Sequence, residues 1–189
     1  MMDQTVAIET ERLLLRSWKA SDFPEFAKMT ADPQVMRYFP KTLSREESDA
    51  IASKIQGLIL EKGWGFWAVE LKETGAFIGF VGLHQQDEHV PIPNTPFVEI
   101  GWRLASKHWR KGYASEAAKS TLEYAFNQLG VSYVYAFTTK ENIPSQKVME
   151  TLGMADLQQD FDHPNLSAYP DYVKRHCLYR ISVDCWQQN

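Results

Sequence analysis

Residues 97–116 read FVEIGWRLASKHWRKGYASE. Phe97 to Leu104 are almost wholly apolar or aromatic, broken by one carboxylate, Glu99, and one arginine, Arg103. Such a run of strand-forming residues predicts a central strand buried on both faces. At Ser106 the pattern gives way to a basic turn, Lys107-His108-Trp109-Arg110-Lys111, after which Gly112-Tyr113-Ala114-Ser115 lead into an amphipathic helix. A strand, a basic turn and a helix start make an anion site. The unpaired N–H groups of the first helical turn, the positive end of the helix dipole and the missing side chain at Gly112 all favour a phosphate group. A plain solvated connection is the alternative that the local pattern leaves open. The spacing matches neither G-x-x-x-x-G-K-S/T nor G-x-G-x-x-G after a strand, which excludes a P-loop and a dinucleotide fingerprint.

The rest of the chain bounds what that anion can be. With 189 residues, 44% hydrophobic and 23% charged, the composition fits one soluble domain over residues 1–189 with a sizeable core. A net charge of −4 speaks against a nucleic-acid partner, so the basic turn suits a small anionic ligand better than a polymer. Cys177 and Cys185 fall in one expected strand, Arg175 to Trp186, where an extended backbone holds their sulfurs too far apart to join. The histidines at 84, 89, 108, 163 and 176 show no metal-ligand spacing, so no metal is expected. The chain has no run of about 18 apolar residues and no basic-plus-apolar N-terminal signal, which predicts a cytoplasmic protein without a membrane partner.

Outward from the central stretch, Arg12 to Trp18 predicts a first strand and Ser21 a cap for a short helix that stops before Asp32-Pro33. Ser44-Arg45-Glu46-Glu47 has the form of a capping box opening a second helix. Gly65 to Leu71 and Ala76 to His84 predict a hairpin around Lys72-Glu73-Thr74-Gly75. Gln85 to Pro96 is polar, carries three prolines and reads as a long loop beside the central strand. The helix after Gly112 should bury Ala117, Ala118, Thr121, Leu122, Ala125 and Phe126. Val131 to Thr139 predicts a strand, and Asn142 caps a helix from Ile143 to Leu152.

Three blocks stand in register: TERLLLRSW at the start, EIGWRL to HWRKGYASEA in the middle, and NIPSQKVMETLGM after residue 141. Together they resemble the GNAT superfamily of acetyl-CoA-dependent N-acetyltransferases, and most of all its RimJ/RimL-like branch of ribosomal-protein N-terminal acetyltransferases. The resemblance implies an α/β fold with a twisted, mainly antiparallel sheet of six or seven strands, flanked by about four helices and splayed between strands four and five. It implies acetyl-CoA as co-substrate, and no metal. The family's loop, Gln/Arg-x-x-Gly-x-Gly/Ala, falls on Trp109-Arg110-Lys111-Gly112-Tyr113-Ala114, with Trp109 at a position usually Gln or Arg. By the same correspondence Ser115 completes the loop, the backbones of Trp102 and Leu104 pair with the pantetheine arm, and Asn142 and Ser145 contact the cofactor near its thioester.

Acetyl transfer to an amine needs a neutral nucleophile and a protonated or stabilised leaving thiolate. Glu99 is the expected base: it is the sole carboxylate in an apolar strand, where desolvation would raise its pKa. A structural pairing with Arg103 is its alternative. The tyrosine that many relatives use as acid falls on Met149, which leaves Ser145, with Tyr113 and Tyr135 as further hydroxyls. Serine also suits a first helical turn for structural reasons. The acceptor is an amine, either a protein N-terminus or a small molecule, reached through the loops at 32–43, 85–96 and 160–176. A non-catalytic acyl-CoA-binding protein would carry the same cofactor residues; in either case a monomer or homodimer is expected.

Overall fold

Strand pairing follows chain order through the first five strands and then jumps. The structure, a computed structural model, describes residues 6–188, so the expectation about the N-terminal signal falls partly outside the described residues. Strands β1 (Val6–Glu9), β2 (Leu13–Arg16), β3 (Phe66–Leu71), β4 (Phe77–Gln86) and β5 (Phe97–Leu104) form an antiparallel meander. Helix α3 (Tyr113–Asn127) then crosses over to β6 (Tyr133–Thr139), which runs parallel to β5. Strand β9 (Arg175–Ser182) pairs antiparallel with β6, and the two-residue strands β7 (Ala155–Asp156) and β8 (Phe161–Asp162) pair with β9.

The mixed, mostly antiparallel sheet is the expected class, with nine strands among the described residues rather than six or seven. The surplus comes from β1 and the two short strands. Because β1 precedes the strand read from the sequence, the parting of the sheet falls between the fifth and sixth strands, not the fourth and fifth.

Helices cover the two faces unequally. Helices α1 (Asp22–Thr30) and α2 (Arg45–Lys62) lie over β2 to β4, where Trp18, Phe26, Phe66 and Phe80 meet edge-on or tilted. Helix α3 covers the opposite face, burying Ala117, Ala118, Thr121, Leu122, Ala125 and Phe126, and its Tyr124 ring packs against Trp67. A second apolar cluster of Ile92, Phe97, Tyr135, Phe161 and Leu178 sits beneath the 85–96 loop. Helix α4 (Ile143–Thr151) follows β6, while α5 (Asp171–Lys174) and α6 (Val183–Gln187) are short.

Local rules hold at most element ends. Ser44 and Glu47 complete the capping box, and Asn142 accepts from the Ser145 N–H. Ser21 stands at the N-cap of α1 without a side-chain cap bond. Asp22, the first residue of α1, instead accepts the Lys19 N–H at 2.8 Å from the preceding turn while binding Arg16. The last strand ends at Ser182, and Val183 to Gln187 are helical. Cys185 therefore lies on α6 rather than on a strand with the buried Cys177.

Candidate active site

Strands β5 and β6 pair only at Val98–Val134 and Glu99–Tyr135. Beyond that point β5 continues to Leu104 and β6 to Thr139, so the two part toward their C-terminal ends. Each is followed by a helix, α3 and α4, whose N-termini flank the gap; ligands of α/β sheets bind at such carboxyl ends. The Ala105 N–H donates to Ile78 O on β4. By strand alternation the backbones of Trp102 and Leu104 then face the gap. The Leu104 carbonyl already accepts from Trp109 Nε1 at 2.8 Å, so that indole ties the turn to the strand end and leaves the Leu104 N–H as the open group.

The turn is shaped for an anion. Arg110 and Gly112 both adopt positive φ, 58° and 79°. Gly112 caps α3 without any side-chain bond to the first-turn amides, and the helical ladder begins with the Glu116 N–H on Gly112 O. The N–H groups of Tyr113, Ala114 and Ser115 therefore face out of the helix end, beside exposed Arg110 and Lys111. A Cβ on Gly112 would stand 3.3 Å from Arg12 Nη2 and in a strained conformation. These features fit a diphosphate.

Arg12, read from the sequence only as the start of a strand, belongs to this turn. It donates to Lys111 O at 2.9 Å, pairs with Glu116 at 2.6 Å and lies over the Tyr113 ring. Burial raises the Glu116 pKa, but the hydrogen bonds from Thr10 and Arg12 outweigh it and hold the carboxyl below its ordinary value.

Central strand β5 is not buried on both faces. Val98, Ile100 and Leu104 are buried beneath α3, whereas Glu99, Gly101 and Arg103 are only partly covered. Glu99 lies on the partly covered face. Its Oε2 accepts from Gln86 Nε2 at 2.6 Å, and no hydrogen bond to Oε1 exists among the described residues. Desolvation pushes its pKa up to about 7 despite the Gln86 bond. His84 stands opposite Glu99 on β4 and stacks on Phe66. Burial, together with Lys62 and Lys54, lowers the His84 pKa, which favours the neutral ring beside the carboxyl.

The pairing of Glu99 with Arg103 expected as an alternative is absent. Four residues along a strand separate their Cα atoms by ~13 Å. Arg103 instead stacks on Phe39 and Phe80, with its carbon centre 4.0 and 5.5 Å from the ring centroids. Burial lowers its pKa to about 10.

On the other side of the gap, Asn142 donates to Thr138 Oγ1 at 2.9 Å and accepts from the Ser145 N–H at 3.3 Å. Ser145 is half-buried in the first turn of α4, while Met149 lies in the core at 2% exposure. Tyr135 is packed against Phe97 at 4.4 Å between centroids and neighbours Glu99 in the β5–β6 register. Asn94 of the 85–96 loop donates to Gln159, and Lys41 of the 32–43 loop comes within electrostatic reach of Tyr169. Sequence reasoning missed His84, Gln86 and Arg12, which only strand register and long-range contacts bring to the site. Among the described residues no group of three or more His, Cys, Asp or Glu is arranged for a metal, and no helix is long and apolar enough to cross a membrane.

Parallel strands parted over an uncapped helix start, with a desolvated carboxyl at the parting, form a cleft suited to an anionic ligand. The chain belongs to the GNAT family: the acetyltransferase (GNAT) domain matches residues 12–155. A Bacillus subtilis relative, the uncharacterized N-acetyltransferase YnaD, is 34% identical over 149 residues, covering 78% of this chain and 81% of the relative. The GNAT-family acetyltransferase of Bacillus anthracis superposes with a TM-score of 0.74 at 28% identity, over 93% of this chain and 97% of that one. The ribosomal-protein-S5-alanine acetyltransferase of Vibrio fischeri shares the fold, with a TM-score of 0.71 at 21% identity, over 96% and 99% of the two chains. The protein is an N-acetyltransferase.

Proposed function

We propose that this enzyme, working as a single cytoplasmic domain, moves an acetyl group from acetyl-CoA to a primary amine by direct transfer while both are bound. Its proposed acceptor is a protein N-terminus, with a small-molecule amine as the second class. The observation that carries the proposal is the Glu99 carboxyl, desolvated at the parting of β5 and β6 and held by one hydrogen bond on Oε2.

Acetyl-CoA supplies an acyl group already activated as a thioester. The amides of Tyr113, Ala114 and Ser115, with Gly112, Arg110 and Lys111, would hold its diphosphate, and Trp102 and Leu104 would pair with its pantetheine arm. Trp109 acts there by fixing the turn to Leu104. Glu99 Oε1 accepts the proton shed by the acceptor ammonium, directly or through one water; a base with a pKa near 7 suits that task. Ser145, whose backbone N–H is held by the Asn142 cap of α4, would pass a proton to the departing sulfur and recover one from solvent water. A covalent acyl-enzyme is not part of the scheme: burial, then Asp156, pushes the Cys177 thiol up to about 11, which makes it a poor nucleophile.

A thiol-release assay with purified protein, acetyl-CoA and a panel of amines tests the proposal, alongside a coenzyme titration. Turnover with at least one primary amine is expected. Saturable coenzyme binding with no turnover on any amine would replace the enzyme by a non-catalytic acyl-CoA binder.

A further inference from the structure

Arg103 is a half-buried cation to which the described residues supply no anion. It makes no hydrogen bond or ion pair to any of them, and its Nε is sealed from solvent without an acceptor. Asp32, bound at 2.8 Å by Ser106 three residues after Arg103, is committed to that hydroxyl, and Glu99 lies ~13 Å along the strand with Gln86. Its guanidinium is held between aromatic faces, Phe39 from the 31–43 segment and Phe80 from β4. The residue keeps part of its surface exposed, so a ligand has access to its outer edge. Leaving such a cation unpaired costs free energy, which an incoming carboxylate would recover through charge-assisted bonds.

Its position gives the anion a partner. Glu99, Gly101 and Arg103 share one face of β5, and the Phe66 ring covers Gly101 between them, where a Cβ would come within 3.0 Å of the ring. The face therefore presents a base, an apolar floor and a cation in line. We propose that Arg103 receives a carboxylate of the acceptor, so that the preferred substrate is an amine carrying an acidic group a few bonds from its nitrogen. The inference rests on Glu99 marking the amine position. The carboxylate can belong to a small amino acid or to an acidic residue near a peptide N-terminus.

Matched acceptor pairs test it: β-alanine against β-alaninamide, and a tripeptide amide with aspartate second against its asparagine counterpart. With wild-type protein the carboxylate member of at least one pair should be favoured about tenfold or more in kcat/KM, mostly through KM. The pair that responds identifies the source. Arg103→Met, whose fold is checked by its melting curve, should lose that preference to within about twofold while keeping its coenzyme affinity and its kcat on the amide. A second readout does not need turnover. The Nε–H resonance of Arg103, assigned by its loss in Arg103→Met, should shift on addition of the carboxylate probe and not of its amide. Equal kcat/KM within both pairs, a preference that survives in Arg103→Met, or an Nε–H resonance indifferent to both carboxylate probes would overturn the proposal. Failure of every amine in turnover with a responsive Nε–H would sink the catalytic reading, and with it the acceptor preference, and leave Arg103 as a carboxylate site alone.

Discussion

Arg16 and Arg103 lie on one cross-strand row, Arg16–Ala68–Phe80–Arg103, yet they are served in opposite ways. Arg16, 2% exposed, binds both oxygens of Asp22 at 2.7 and 2.9 Å and Glu70 at 2.6 Å. Burial alone would lower its pKa, but Asp22 and Glu70 reverse the direction and raise it. Arg103 has two aromatic rings and no oxygen. A cation whose counter-charges are encoded in the chain fastens elements together, here α1 to β2 and β3. One whose counter-charge is missing is left for a molecule that comes and goes.

The contrast breaks most visibly at Arg16. Arg16→Met should strand Asp22 in the interior and cost about 3–5 kcal/mol in urea unfolding. A loss below about 1 kcal/mol would mean that the buried network is dispensable. Next in size is Glu99→Gln, expected to lower kcat by about 10²-fold with coenzyme affinity unchanged. The wild-type rate should rise with pH through about 7 as Glu99 ionises, and the variant should lose that limb.

The same residue makes an opposite prediction for stability. Its folded pKa is raised from 4.5 to about 7, so the folded state binds more protons than the unfolded one in that interval. Stability is lost as pH rises through about 7. Melting curves should therefore show Glu99→Gln gaining on wild type above pH 7 and not near pH 4.5.

Gly112→Val ranks third. Its φ of 79° is adverse for a branched residue, and coenzyme binding should weaken about tenfold. Unaltered affinity in a titration would move the diphosphate elsewhere. The smallest effect sharpens the comparison directly. Arg103→Met should change unfolding free energy by no more than about 1 kcal/mol, because no carboxylate is stranded and the new side chain still packs on Phe39 and Phe80.

Local chemistry made much of this legible beforehand. The Ser44 box, the Asn142 cap, the hairpin at residues 72–75 and the turn at Gly112 each depend on neighbours within a few positions. What escaped depends on distance. Alternation of Cys177, Tyr179, Ile181, Val183 and Cys185 continues smoothly across the real strand end, because one face of a short helix can imitate it. Ser21 looked like a cap until Arg16 and Lys19, brought together around Asp22, gave α1 another start. That Arg103 stands apart from Glu99 was already implicit in strand geometry, whereas its lack of an ion pair among the described residues emerges only once the long-range contacts are in place.

The bond from the Trp109 indole to the Leu104 carbonyl makes the free edge of β5 a keyed rail. Near its end the rail offers a donor alone, while one notch earlier, at Trp102, both donor and acceptor face the gap. An amide-bearing arm laid along it therefore finds a single frame in which its polar groups are all met. Sliding by one notch would set an N–H of the arm against a carbonyl that the indole has already engaged.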